Sequence, residues 1–243
     1  MYQSYWNNVI HQFEKTYYTQ IFWYLSTIIA LVMAIRYYRK EKVFNLFILY
    51  IISSLIISIQ SDFIDLFFKS KSTGYVRYLE IRNTVFEIIE LFVFLFFFSL
   101  LFNSKKINSL VKILMIAFLC LCIYFFIKIS NLEIKQREIV QWSFLINVIE
   151  FIMLLPIAFY YFYDLLTKES TKITPLSSSP AFWIVNGLFF YGIISLPLLL
   201  MGESFYSNER WLYFLMYGFH YIAISFLYFC IAKAFSCKTT LTV

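Results

Sequence analysis

Apolar positions along this chain gather into long runs separated by short polar links. A helix needs roughly 20 apolar residues to cross a hydrocarbon core of about 30 Å, and runs of that kind lie near 18–37, 43–60, 84–102, 109–128, 139–163, 181–201 and 211–235. The pattern predicts an all-α fold: a polytopic bundle of seven transmembrane helices forming a single integral membrane domain over 1–243. The longest link in this reading runs from Ser61 to Asn83. It leaves no room for a kinase, nucleotide-binding or DNA-binding module.

Polar residues inside the runs mark where a protein interior should be. In the fifth run Ser143, Asn147 and Glu150 recur at i, i+4 and i+7, so on a helix they form one stripe while Phe144, Ile146, Val148 and Phe151 point elsewhere. A carboxylate near the bilayer centre costs on the order of 3 kcal/mol on insertion scales, so such a stripe faces a bundle core or a wet cavity. The third run repeats the pattern, with Glu87-Ile88-Ile89-Glu90-Leu91 beside Asn147-Val148-Ile149-Glu150-Phe151. Glu90 lies fifteen residues before Lys105, Glu150 fourteen before Asp164, and His220 thirteen before Lys233. At 1.5 Å per residue all three sit roughly 20 Å from one membrane edge, which predicts a single site.

The remaining polar inventory is lopsided. The first run has Ser26 and Thr27 and then only apolar residues from Ile28 to Ile35; the second is apolar from Val43 to Ile52 and turns polar late, at Ser53, Ser54, Ser58, Gln60 and Ser61. Serines in membrane helices mostly support packing or bond their own backbone. The fourth run holds no acid and no histidine, its Cys120 and Cys122 fall on different sides, and it is expected at the lipid-facing periphery. Pro156 lies inside the fifth, where a proline removes a helical hydrogen bond. Pro180 suits the first turn of the sixth, in which Gly187 and Gly192 permit close helix approach while Asn186 and Tyr191 offer polar contacts. Tyr213, Tyr217 and His220 share a face of the seventh. Polarity on one side of the membrane favours a chamber open to that side over a conduction path or an alternating-access transporter.

The composition, 61% hydrophobic and 14% charged, agrees with a membrane protein. A net charge of +6 does not indicate nucleic acid, because the basic residues sit in separate short links. Arg36, Arg39, Lys40 and Lys42 crowd into the first link, which by the positive-inside rule is cytoplasmic. That places the chain in a cell inner membrane with the N-terminus outside and the C-terminus in the cytoplasm. No cleavable signal peptide is read at the start; Tyr2, Tyr5, Trp6, Tyr17, Tyr18, Trp23 and Tyr24 fit an aromatic belt at the outer interface. The four cysteines read as thiols without metal spacing. His11 and His220 are too few for a zinc site without both buried acids, no lysine stands mid-way along the seventh run for retinal, and no Gly-rich phosphate loop occurs. No cofactor is expected.

Glu90, Glu150, the Tyr161-Phe162-Tyr163 segment, Ser179-Pro180 followed by Phe182-Trp183-Ile184, Gly187, Tyr191 and His220 resemble an uncharacterised family of seven-helix membrane proteins common in Bacteroidetes. Its members are often encoded beside sensor histidine kinases and response regulators. The resemblance implies the fold and a signalling neighbourhood, and supplies no reaction.

Three readings follow. In the first, a receptor-like sensor holds an unknown small ligand or a proton among Glu87, Glu90, Asn147, Glu150, Asn186, Tyr191, Tyr217 and His220, and signals through a partner such as a histidine kinase. In the second, an intramembrane enzyme acts on membrane lipid, with the acid pair as general acid and base and His220 orienting it. In the third, the polar core specifies helix packing alone. The first is preferred, so enzymatic activity is not the main expectation.

Overall fold

A computed structural model describes residues 21–38, 41–67, 73–102, 104–130, 134–168, 176–208 and 210–237, with the backbone alone for 61–67, 136, 168, 202–208 and 210–217. The described residues form seven α-helices and no strand. These are α1 (Ile21–Arg36), α2 (Lys42–Phe67), α3 (Thr73–Phe102), α4 (Lys105–Ser130), α5 (Gln136–Lys168), α6 (Pro180–Asn208) and α7 (Arg210–Ser236), with a 3₁₀ turn at Leu176–Ser178. Six of them are long and apolar enough to cross a membrane, and the described part of α1 is apolar but shorter. The chain is a multi-pass membrane protein built as a helical bundle.

One expectation needs correction. The link from Ser61 to Asn83 is helical over Ser61–Phe67 and again from Thr73, so α2 and α3 run well past the apolar boundaries. Helices extend beyond the hydrocarbon wherever their backbone bonds continue, and hydropathy records only the part that meets lipid. Tyr2, Tyr5, Trp6, Tyr17, Tyr18, His11, Arg39, Lys40 and the side chains of Tyr213 and Tyr217 lie outside the described residues.

Local chemistry sets several boundaries. Ser179 Oγ accepts the Phe182 amide at 3.5 Å, Pro180 opens α6, and Trp183 Nε1 donates to the Ser177 carbonyl at 2.8 Å, folding the 3₁₀ turn onto the helix. The α3–α4 corner is clasped by Ser99 Oγ donating to Asn108 Oδ1 at 2.7 Å. Pro156 and Pro197 lie inside α5 and α6, which continue through them. Ser26, Thr27 and Ser58 return their hydroxyls to their own helix, bonding the Trp23 and Ser54 carbonyls at 2.7 to 2.8 Å.

The helices form a ring. Side by side stand α2 and α3, α3 and α5, α5 and α6, then α6 and α7. Aromatic pairs close it between α7 and α2: Phe44 with Phe235 at 4.8 Å and Tyr50 with Tyr228 at 5.7 Å between centroids. α1 adjoins α7 through Trp23 and Tyr221. α4 packs outside, against α3 and α5, and has the smallest buried share of the six spans, 22%, as expected for a peripheral helix. Cys120 is exposed there and Cys122 buried. Large apolar side chains face outward in stripes, such as Phe219, Ile222, Phe226 and Phe229 on α7 and Ile21, Leu25, Ile28, Val32 and Ile35 on α1. Opposite the α1 stripe, Ser26, Thr27, Ala30 and Ala34 are buried. Lipid rather than water meets the outer surface, so the apolar faces point out and the polar ones in.

Candidate functional site

α3 and α5 run parallel along their length, because the contacts between them advance together along both chains. Glu80 approaches Ser143 near one end, and Phe102 packs on Tyr160 and Tyr161 near the other. Between them Asn147 Nδ2 donates to Glu87 Oε1 and also to the Ser143 carbonyl, the latter at 3.2 Å. The two sequence segments read as copies of one pattern are therefore packed against each other at matching positions. One turn further along, Glu90 and Glu150 come into electrostatic contact, with Glu87 also in range. Their carboxyls are buried, at 6% exposure for Glu87, 3% for Glu90 and 2% for Glu150.

Other helices bring polar groups to this pair. Tyr50 of α2, wholly buried, turns its hydroxyl to Glu90 and to the Tyr228 hydroxyl of α7. Ser54 of α2 and Trp23 of α1 also approach Tyr228. Tyr191 of α6 is in range of Glu90, Glu150 and Tyr228, and Cys122 of α4 is in range of Glu87 and Glu150. All seven helices thus contribute a side chain to the centre. Several of these buried atoms make no hydrogen bond of ordinary geometry within the protein: Trp23 Nε1, Tyr50 Oη, Ser54 Oγ, Glu87 Oε2, Glu90 Oε1, Glu150 Oε1 and Tyr228 Oη. A buried polar atom left unpaired costs about 1–3 kcal/mol, and native interiors leave few of them. Their concentration here is a property of the site.

His220 joins through Tyr191. The two rings lie 5.6 Å apart, and Tyr191 also meets Phe151, beside Glu150, at 5.0 Å. His220 also meets Ser195 of α6, whose Oγ stands 3.0 Å from His220 Nδ1. That distance suits a nucleophile and its base, but Ser195 exposes no surface to a reacting carbonyl. The pair acts as a clasp between α6 and α7. Asn186 faces Cys230 on α7 and so stands apart from the acids, next to the close approach at Gly187.

Glu87, Glu90, Asn147, Glu150 and Tyr191 therefore share one centre, His220 adjoins it, Asn186 serves another contact, and the Tyr217 side chain lies outside the described residues. Sequence reasoning missed Tyr50, Ser54, Tyr228 and Ser195 as members. The stretch Val43 to Ile52 is not chemically silent, since Tyr50 carries a hydroxyl to its buried side. The spacing of Tyr50, Ser54 and Ser58 at every fourth residue is the signal that would have marked that face. Among the described residues no three His, Cys, Asp or Glu side chains are arranged to hold a metal ion. No protein-family model, curated protein or solved structure matches the chain.

Proposed function

We propose that this protein is a receptor-like membrane sensor whose polar centre takes up a small ligand or a proton and passes the change to a partner. One observation carries the reading: three acids and the hydroxyls of Tyr50, Ser54 and Tyr228, none with a hydrogen bond of ordinary geometry, meet within a bundle whose core is mainly apolar. Buried ionisable residues are expensive in a membrane, and a site that recruits every helix is placed to change the packing of all of them when its charge changes. No described helix is a kinase element. The output accordingly falls to a partner, and the family resemblance suggests a histidine kinase.

The four basic residues Arg36, Arg39, Lys40 and Lys42 favour an orientation with the N-terminus outside and the C-terminus in the cytoplasm of a bacterial inner membrane. A cysteine introduced at position 40 should react with a membrane-impermeant maleimide only after the inner face is opened. Reaction in intact cells would reverse the orientation.

The sensor reading is tested at Glu150. Glu150→Gln preserves shape and hydrogen-bonding capacity while removing the charge. The variant should insert and melt within about 3 °C of the parent, a shift equivalent to roughly 1 kcal/mol. In cells it should nevertheless change which response regulators are phosphorylated, and Glu90→Gln should do the same. Unchanged melting with an unchanged regulator pattern in both variants would leave the polar core a packing device and sink the sensor reading.

A further inference from the structure

The sensor reading leaves the ligand open, and the inference that follows rests on that reading while naming the ligand's class. Three carboxyls share the centre, and the described lysines and arginines lie within the first three turns or the last turn of their helices or, for Lys135, just before one. Protons or a bound cation would supply positive charge at the centre itself. The groups that α2, α3 and α7 bring together are oxygens, the Glu90 carboxyl and the hydroxyls of Tyr50, Ser54 and Tyr228, with the Trp23 indole of α1 beside Tyr228.

We propose that Glu90, Tyr50, Ser54 and Tyr228 form a binding site for one small hard monovalent cation, Na⁺, held between α2, α3 and α7. The three hydroxyl residues are 0%, 1% and 0% exposed for Tyr50, Ser54 and Tyr228, and although the hydroxyls approach one another and Glu90, none makes a hydrogen bond of ordinary geometry within the protein. They form a connected line, with Ser54 next to Tyr228, Tyr228 next to Tyr50, and Tyr50 next to Glu90. Hydroxyl and carboxyl oxygens are hard donors suited to alkali and alkaline-earth ions. Divalent ions ask for several carboxylates or a hydrated octahedral shell, whereas this line supplies one carboxyl and three neutral oxygens. A single atomic ion fits among groups that already approach one another. An organic amine would have to part the stacked rings of Phe86, Tyr50 and Tyr228, whose centroids lie 5.6 and 5.7 Å apart. Binding would tie α2 and α7 to α3, across the side of the ring that closes by aromatic contact.

The experiment is thermal unfolding of the purified full chain in detergent, in NaCl and in choline chloride at matched ionic strength. With Na⁺ at about ten times its dissociation constant the melting temperature should rise by about 3–6 °C over choline. Glu90→Gln and Tyr50→Phe should each abolish the rise, and Ser99→Ala at the distant α3–α4 corner should keep it. Should Glu90→Gln fail to fold, Tyr50→Phe decides alone. Equal melting in the two salts overturns the proposal, as does a dependence on pH that ignores Na⁺, which would make the proton the ligand. A Na⁺ rise retained in both site variants overturns the assigned location. The two levels of the argument fail separately. A Na⁺ rise with no change of regulator pattern in Glu150→Gln removes the sensor reading and keeps the cation site; a changed pattern with no Na⁺ rise does the opposite.

Discussion

Gly187→Leu is expected to abolish accumulation of the folded protein in the membrane. α6 and α7 meet here so closely that a Cβ on residue 187 would lie 2.7 Å from Cys230 Cβ and 3.2 Å from the Leu227 Cα and Cδ1. Neither Cys230 Cβ nor Leu227 Cα can step aside, because both are fixed to the α7 backbone, so the helices themselves would have to part. Overpacking of this kind costs about 1–3 kcal/mol for a few methylenes and more where backbone blocks relief; a leucine at this crossing exceeds that range. The clasp of Ser195 to His220 lies on the same interface and would be lost with it. Gly192 provides the contrast. There the nearest atom, at 2.7 Å, is Leu155 Cδ2, the far end of a flexible side chain, and alanine gains about 1 kcal/mol of helix propensity over glycine. Gly192→Ala should stay within about 1 kcal/mol of the parent. Fluorescence-detected size-exclusion chromatography of the two variants measures both outcomes, and normal accumulation of Gly187→Leu would contradict the α6–α7 packing.

The second large effect belongs to Tyr50→Ala. The Tyr50 ring is wholly buried between Phe86 and Tyr228, stacked on them at 18° and 15° between planes, and meets the edge of Phe94 at 5.7 Å. Its removal opens a cavity at the join of α2, α3 and α7. Deleting a buried aromatic ring costs about 3–5 kcal/mol, so the melting temperature in detergent should fall by roughly 6–20 °C at about 2–4 °C per kcal/mol. Tyr50→Phe removes only a hydroxyl that makes no hydrogen bond of ordinary geometry in the protein, and in choline it should melt within about 3 °C of the parent. The two substitutions separate the ring, which supports the bundle, from the hydroxyl, which serves the site. A Tyr50→Ala chain as stable as Tyr50→Phe would show that the stack contributes little.

Much of the architecture was legible in the chain, because a bilayer imposes one rule on every residue that meets it. The seven apolar runs predicted seven helices, and Pro180 was placed at the start of α6. The peripheral position of α4 followed from its lack of buried polar groups. The likeness of Glu87–Glu90 to Asn147–Glu150 was visible as a short repeat, and it marks the segments that pack together through Asn147 and Glu87. Where α2 ends and α3 begins was not legible. Backbone hydrogen bonds continue past the last apolar residue without requiring hydrophobicity.

Membership of the site divides along the same line. Hydropathy by itself determined that Glu87, Glu90 and Glu150 must face protein, since an acid in lipid is too costly to leave exposed. Tyrosine carries no such penalty, because its ring accepts an apolar setting while its hydroxyl asks for a partner. Only the tertiary structure decided that Tyr50 turns its hydroxyl toward Glu90 and Tyr228 and that His220 clasps Ser195 while meeting the acids through Tyr191. The rotation of each helix about its axis and the identity of its neighbours set those contacts, and both are properties of the packed bundle that no single helix encodes.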